Sequence, residues 1–375
     1  MTIDPAHVRR TLLDLLLTPS FAKEERRVAE LVRGRLEALG LRVECDDCHH
    51  TIGGDAGNLL CRVPGTVAAP TILLNSHLDT VDRTDGLTLV EDGDVVRTDG
   101  TTILGGDDKT GVAAILCGLE AALAAGVPRP PLEVLFTVQE EIGLCGAKAL
   151  TPGWLQATLG FVFDHGVPMG ELCVSAPGQT SHEIIFLGRA AHAGVEPEKG
   201  INAIACAASA INRTLQGRID GETTCNIGVI QGGRATNIVP ERCDVKAECR
   251  SRDRAKLHDR VAHLRGACED AAAEFGCGLE FTTREAYRGF RIDRDEPVAR
   301  LAQAAIEAAG LAPSWVDGGG GSDANIFNAA GIRCVVMPCG ERDVHTKSEH
   351  VYVRDVVDAA RVVANLIAAA AAGGQ

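Results

Sequence analysis

The sequence predicts an α/β fold: a larger domain with a mostly parallel central sheet, interrupted by a smaller inserted α+β domain. Three observations predict it. Apolar runs of strand length alternate with helical segments in the first half of the chain, the order that builds a parallel sheet with helices on its faces. The middle of the chain then follows β-α-β-β-α-β, a split βαβ or ferredoxin-like arrangement. Finally, 375 residues are long for one hydrophobic core and favour two domains. The expected division is 1–175 with 285–375 for the larger, discontinuous domain and 176–284 for the insertion.

Element by element, Asp4-Pro5 signals a helix start, and Val8, Leu12, Leu15 and Leu16 follow at helical spacing. A second helix is expected from Glu24 to Leu39, stopped by Gly40. Short strands are expected at Leu41–Glu44 and Gly57–Val63. Pro70–Ser76 is a nearly continuous apolar run, as a strand covered on both faces requires, and it ends at His77. Thr110–Ala125 reads as a buried helix closed by Gly126. Leu132–Val138 is the next strand and delivers Glu140 and Glu141, and Gly160–Phe163 delivers Asp164. In the insertion, Glu183–Gly188, Thr224–Gln231, Cys243–Cys249 and Gly278–Thr283 read as strands, with helices at Ile201–Leu215 and Ala255–Phe275. The chain returns with a helix near Pro297–Ala309, a Gly-rich loop, the strand Arg333–Met337 and a final helix.

Composition narrows the function classes. Only 3% of residues are aromatic within a 45% hydrophobic content, so alanine and valine must fill the interior. The net charge is −14, and no basic block or basic–aromatic stretch occurs, which argues against nucleic-acid binding. No secretory signal opens the chain and no apolar run reaches spanning length, so a cytoplasmic protein without membrane association is expected. The fourteen cysteines are scattered through strands and helices and read as reduced, mostly buried thiols. Cys45-Asp-Asp-Cys48-His49-His50 has metal-like spacing but lacks a second Cys/His pair, so a surface loop is the plainer reading. Gly318–Gly321 lacks the Gly-Lys-Ser/Thr ending of a phosphate loop.

The chemistry gathers at strand ends, where sites lie in such sheets. By residue type, His77, Asp107, Glu141, Asp164 and His345 make a first shell for two divalent ions, with Asp107 as the carboxylate that offers one oxygen to each. Asp79, two residues beyond His77, is placed to orient the imidazole. Glu140 and Glu141 are adjacent and point different ways, so one can ligate while Glu140 takes the proton of an attacking water and passes it to a leaving amine. Taken singly, each acidic pair also reads as a solvated turn or a helix N-cap.

Ser76-His77-Leu78-Asp79-Thr80, Gly105-Gly-Asp107-Asp108-Lys-Thr-Gly111, Thr137-Val-Gln-Glu140-Glu141-Ile-Gly143 and Val344-His345-Thr-Lys-Ser-Glu-His-Val351 together resemble the M20 metallopeptidases, in the peptidase T-like (tripeptide aminopeptidase-like) branch. The resemblance runs in order over nearly the whole chain. It implies a zinc-exopeptidase-like catalytic domain and a ferredoxin-like lid that often dimerises. It also implies one metal on His77, Asp164 and Asp107, and a second on Glu141, His345 and Asp107. Asp79 would be the orienting carboxylate, Glu140 the general base, and Asp107-Asp108 a cis peptide. The lid stretch Gly188-Arg-Ala-Ala-His192-Ala-Gly194 would bring His192 to a developing oxyanion, although His192 alone reads equally as a capped surface residue. Asn237, Arg250, Gly320 and Ser322 would bind substrate by the same resemblance, Gly320 and Ser322 through a backbone-rich loop. His165 after Asp164 departs from the family pattern.

The expected activity is therefore di-zinc hydrolysis of peptide bonds in short peptides by an aminopeptidase acting on di- and tripeptides, with cobalt or manganese as substitutes for zinc. The alternatives on the same scaffold are an N-acyl amino acid amidohydrolase and a carboxypeptidase, and a non-catalytic binding protein is a third class that the intact ligand set and Glu140 argue against. The expected partners are a small peptide or N-acyl amino acid and a second copy joined through the lid.

Overall fold

Strands of unbroken apolar sequence occupy the centre of a mixed sheet in the computed structural model, which describes residues 1–372. The order across that sheet is Val43–Cys45, Leu59–Val63, Leu132–Thr137, Ile72–His77, Leu159–Phe163, Arg333–Met337, Glu171–Ala176 and the two-residue Phe290–Arg291, with Ser314–Asp317 pairing parallel to Glu171–Ala176 off this path. The four strands from Leu132–Thr137 to Arg333–Met337 run parallel. Leu59–Val63 and Glu171–Ala176 flank them antiparallel. Every residue of Ile72–His77 and Leu132–Thr137 is buried, which explains their lack of apolar–polar alternation.

The chain divides into two compact units, one of Met1–Ser175, Arg291–Gly318 and Ser322–Gln375, the other of Ala176–Phe290 with Gly319–Gly321. In the first unit the helices Gly106–Ala124 and Val353–Ala372 pack closely because their contact residues are small. A Cβ at Gly118 would lie 2.6 Å from the Ala360 carbonyl oxygen and 2.6 Å from Val363 Cβ. The interior fills with alanine, valine and leucine, consistent with the scarcity of aromatic residues. A small four-stranded sheet of Leu89–Asp92, Val95–Thr98, His350–Tyr352 and Glu341–Arg342 stands beside it and fixes the chain on either side of His345.

The second unit is an antiparallel sheet in the order Gly217–Arg218, Thr223–Gly232, Arg242–Ser251, Gly178–Leu187 and Gly278–Tyr287. Helices Ala203–Arg213 and Arg254–Phe275 cover it, and the chain order is the expected β-α-β-β-α-β apart from the two-residue strand. Its core joins Ile184, Phe186 and Leu264 to Cys206, Cys225, Cys243, Cys249 and Cys268. All fourteen cysteines are unpaired, and the Cys225 and Cys249 sulfurs lie 3.5 Å apart across paired strands. Among the described residues no helix is long and apolar enough to cross a membrane.

Candidate metal centre

Three parallel strands deliver polar residues at their carboxyl ends. His77 closes Ile72–His77, Asp164 follows Leu159–Phe163, and Glu140 and Glu141 follow Leu132–Thr137. Asp107 arrives from the opposite direction, at the head of Gly106–Ala124. Gly105 turns the chain there with φ +73°, and a Cβ on it would meet Thr80 Cγ2 at 2.9 Å. Asp107 and Asp108 are joined by a cis peptide and keep non-helical dihedrals, so the regular helix begins after them. His345 sits in the loop between Glu341–Arg342 and His350–Tyr352 with φ +62°.

The side chains form two groups that share Asp107. Its Oδ1 lies 3.1 Å from His77 Nε2, and Asp164 Oδ1 is 4.0 Å from that same nitrogen. Its Oδ2 lies 3.2 Å from His345 Nε2, which is also 3.1 Å from Glu141 Oε1. Within each group, one donor atom per residue lies within 4.8 Å of the others, close enough to hold a metal ion. Asp79 does more than face the imidazole. Its carboxylate oxygen is 3.4 Å from His77 Nδ1, while its own carbonyl is nearer at 3.1 Å. The shorter bonds go elsewhere: Oδ1 accepts the Glu140 N–H at 2.8 Å and Oδ2 the Glu141 N–H at 3.1 Å.

The electrostatics describe a site with more negative charge than two imidazoles balance. Burial pulls the Asp107 carboxyl upward, but His345 and His77 outweigh it and hold it below the usual carboxylate range. Burial, reinforced by neighbouring carboxylates, pushes Asp164 and Glu140 well above theirs, against the pull of His77. Glu141 is raised by burial despite its bond to His345. Asp107 first and Glu141 second raise the His345 imidazole to about 10. For His77 burial acts downward, yet the bonds to Asp107 and Asp79 raise it overall. Clustered buried carboxylates with oxygen and imidazole donors aimed inward are the chemistry that divalent cations relieve, so this donor set fits a metal pair.

Beneath the centre, Asp108 is held by hydrogen bonds of its own. Its Oδ2 accepts the Ser76 hydroxyl at 2.5 Å and the His77 N–H at 3.2 Å, and Oδ1 accepts the Gly111 N–H at 3.1 Å. Asp108, Cys339 and Glu341 make a third, fully buried donor group, in which the Cys339 thiol donates to Glu341 Oε1 at 3.0 Å. Asp323 accepts the Thr137 hydroxyl at 2.5 Å, and burial raises its carboxyl to about 6. Glu349 accepts three backbone N–H groups of the Asp107 loop. Asp108, Asp323 and Glu349 lie inside or beside the conspicuous sequence patches, yet their partners are known only once the chain is folded.

The Cys45–His50 segment gathers no such group; among the described residues its donors form no metal-holding cluster. Cys45 is exposed on a strand, and Cys48 is buried. The expected substrate-binding residues are placed as follows. His192, Asn237 and Gly320 are exposed in the second unit, where the His192 ring accepts the Gly194 N–H at 3.2 Å. Arg250 lies in the same unit and grips Glu248 through two nitrogens at 2.9 and 3.1 Å. Ser322 belongs to the first unit and caps the helix Asp323–Ala329, its N–H donating to Asn325 Oδ1 at 3.0 Å. His165 turns to Glu171, with 3.2 Å between Nε2 and Oε1.

The model of peptidase family M20/M25/M40 matches residues 73–369. The chain is 38% identical over 359 residues to the uncharacterized protein YqjE of Bacillus subtilis strain 168, covering 96% of this chain and 97% of that one. It superposes on the crystal structure of aminopeptidase PepT from Bacillus cereus ATCC 10987 with a TM-score of 0.90 at 36% identity, covering 98% and 99% of the two chains. A tripeptidase from Staphylococcus aureus subsp. aureus Mu50 gives a TM-score of 0.94 at 34% identity, with 99% and 100% covered.

Proposed function

The chain belongs to peptidase family M20/M25/M40 and is a metallo-exopeptidase, and from that premise we propose that it removes the amino-terminal residue from short peptides, di- and tripeptides above all. The observation that carries the reading is the Asp107 carboxylate, with one oxygen turned to His77 and the other to His345. Asp107, His77 and Asp164 would hold one divalent ion, and Asp107, Glu141 and His345 the second. Mixed oxygen and nitrogen donors suit zinc, with cobalt or manganese as substitutes. A bound pair supplies Lewis acidity to the peptide carbonyl and makes an attacking water more acidic.

The protein's own groups do the rest. Glu140 is buried, with His77 and Asp164 among the charges acting on it, and has its proton affinity raised, so its carboxylate takes the water's proton and returns it to the leaving amine. Asp79 fixes the backbone that presents Glu140 and Glu141. His192, Asn237, Arg250, Gly320 and Ser322 are assigned to substrate contacts, with His192 serving the developing oxyanion and the second unit joining two copies. The two superposed structures, an aminopeptidase and a tripeptidase, support the choice of a free amino terminus and a short substrate.

The test is hydrolysis of Ala-Ala-Ala, its N-acetyl form, its C-terminal amide and N-acetyl-alanine by wild type and Glu140→Ala with added Zn²⁺ or Co²⁺. Cleavage of the free-amine peptides alone, lost in Glu140→Ala, is expected. Preference for the acetylated compounds would make the protein a deacylase, and equal turnover by Glu140→Ala would overturn the role given to Glu140.

A further inference from the structure

We propose that Glu349 is a positioning residue that locks Asp107 and His345, the two sides of the second metal group, into one frame. This rests on the metal assignment above and goes beyond it. Glu349 is only 1% exposed. Its Oε2 accepts the Leu104 N–H at 2.9 Å and the Gly105 N–H at 2.8 Å, and its Oε1 accepts the Asp107 N–H at 3.0 Å. One carboxylate therefore satisfies three amides of the short Leu104–Asp107 segment, including the amide of the shared ligand itself.

The other end of the clamp is the loop of His345. Glu349 donates its own N–H to the Thr346 carbonyl at 3.2 Å, and the Thr346 hydroxyl donates to the Asp343 carbonyl at 2.7 Å. His345 sits inside that turn. Its side chain is 48% exposed, and both Asp343 and His345 adopt positive φ, so the loop is held by its flanking strands and its own hydrogen bonds more than by burial of the imidazole. Glu349, bonded to the Asp107 segment through its carboxylate and to the His345 turn through its own N–H, thus bridges the two sides of the 3.2 Å approach of His345 Nε2 to Asp107 Oδ2. Gly106 makes room for it: a Cβ there would stand 3.1 Å from Glu349 Oε1 and 3.0 Å from Val351 Cγ1. A carboxylate is required because every partner is a donor. Glutamine would lose one acceptor and turn an NH₂ group on an amide N–H.

Glu133 is a matched control. It is likewise a buried carboxylate accepting two backbone N–H groups, those of Gln156 and Ala157 at 2.9 Å each, but it is the second residue of a strand whose far end carries the site. The experiment compares wild type, Glu349→Gln, Glu349→Asp and Glu133→Gln as full-length protein. Zn²⁺ affinity at each site is read by competition with a chelator, and the visible spectrum of the Co²⁺ form reports coordination geometry. Glu349→Gln is expected to lose about 10–100-fold in affinity for one of two ions and to shift the Co²⁺ bands. Glu349→Asp, which keeps the charge, is expected to lose less, and it carries the test alone where Glu349→Gln fails to fold. Glu133→Gln is expected to lower the thermal midpoint without touching metal affinity. Wild-type affinity and spectrum in both Glu349 variants, or an equal affinity loss in Glu133→Gln, would overturn the proposal. A wild type that binds no second ion would overturn the metal assignment itself.

Discussion

The Asp79 carboxylate accepts the Glu140 backbone N–H at 2.8 Å, which ties a residue following one strand to the proposed base following its neighbour. The same carboxylate takes the Glu141 amide. Asp79 thereby sets where both glutamates point, in addition to facing His77. Asp79→Asn leaves a single acceptor oxygen for two amides, so kcat is expected to fall about 10–100-fold while the far-ultraviolet circular dichroism stays that of wild type. A kcat within twofold of wild type would remove this role from Asp79.

Glu140→Gln keeps the shape of the side chain and removes its basicity. Proton transfer by a positioned group contributes about 10²–10⁴-fold, and kcat is expected to fall by that factor with KM nearly unchanged. Glu140 makes no contribution to either donor group of the centre, so bound metal per chain should not change. Steady-state kinetics beside metal analysis separates the two effects.

His182 gives the second unit a pH dependence. It is 1% exposed on Gly178–Leu187, where its ring nitrogens meet the hydroxyls of Thr180 at 3.0 Å and Thr283 at 3.2 Å. Burial first and Arg265 second push its imidazole down to about 4. The unfolded chain thus binds a proton near pH 6.5 that the folded chain takes only near pH 4. The stabilising contribution is complete above pH 6.5 and is lost as the pH falls toward 4, by at most about 3 kcal/mol. Hydrogen–deuterium exchange over 178–187 should accelerate across that window in wild type and much less in His182→Gln.

Gly118→Leu tests the close packing of Gly106–Ala124 on Val353–Ala372. The 2.6 Å approaches at its Cβ leave no room, and overpacking of this kind costs about 1–3 kcal/mol. The thermal unfolding midpoint should drop by several degrees, whereas Ala121→Leu on the same helix, a partly exposed position, should change it far less.

What the sequence made legible follows the strength of its patterns. The sequence pattern marks Arg333–Met337 to the residue, and the buried strand ending at His77 within two, because fully covered strands are apolar throughout. Gly178–Leu187 shows a strand pattern in the sequence only from Glu183 onward. Its first inward residues are Gly178, Thr180 and His182, none of them apolar and bulky, with the polar pair satisfied by each other and by Thr283, so the alternation that marks a half-buried strand is invisible there. The strands beside His345 are two to four residues long and leave no periodicity to read. At the site, residue types point to His77, Asp107, Glu140, Glu141 and Asp164, whereas Glu349, although it lies within the His345 patch, acts on amides more than 240 positions away, a partnership with no mark in the sequence.

Asp107 as a ligand common to two ions is the centre of the proposed chemistry, and Zn²⁺ stoichiometry is its most direct test. Equilibrium dialysis of wild type and Asp107→Asn against micromolar Zn²⁺, with metal per chain counted by elemental analysis, is the measurement. An amide offers one ligand oxygen where the carboxylate offers two, so two ions per wild-type chain and no more than one in Asp107→Asn are predicted. Two ions retained by Asp107→Asn, or a single ion in wild type, would contradict the shared-carboxylate site.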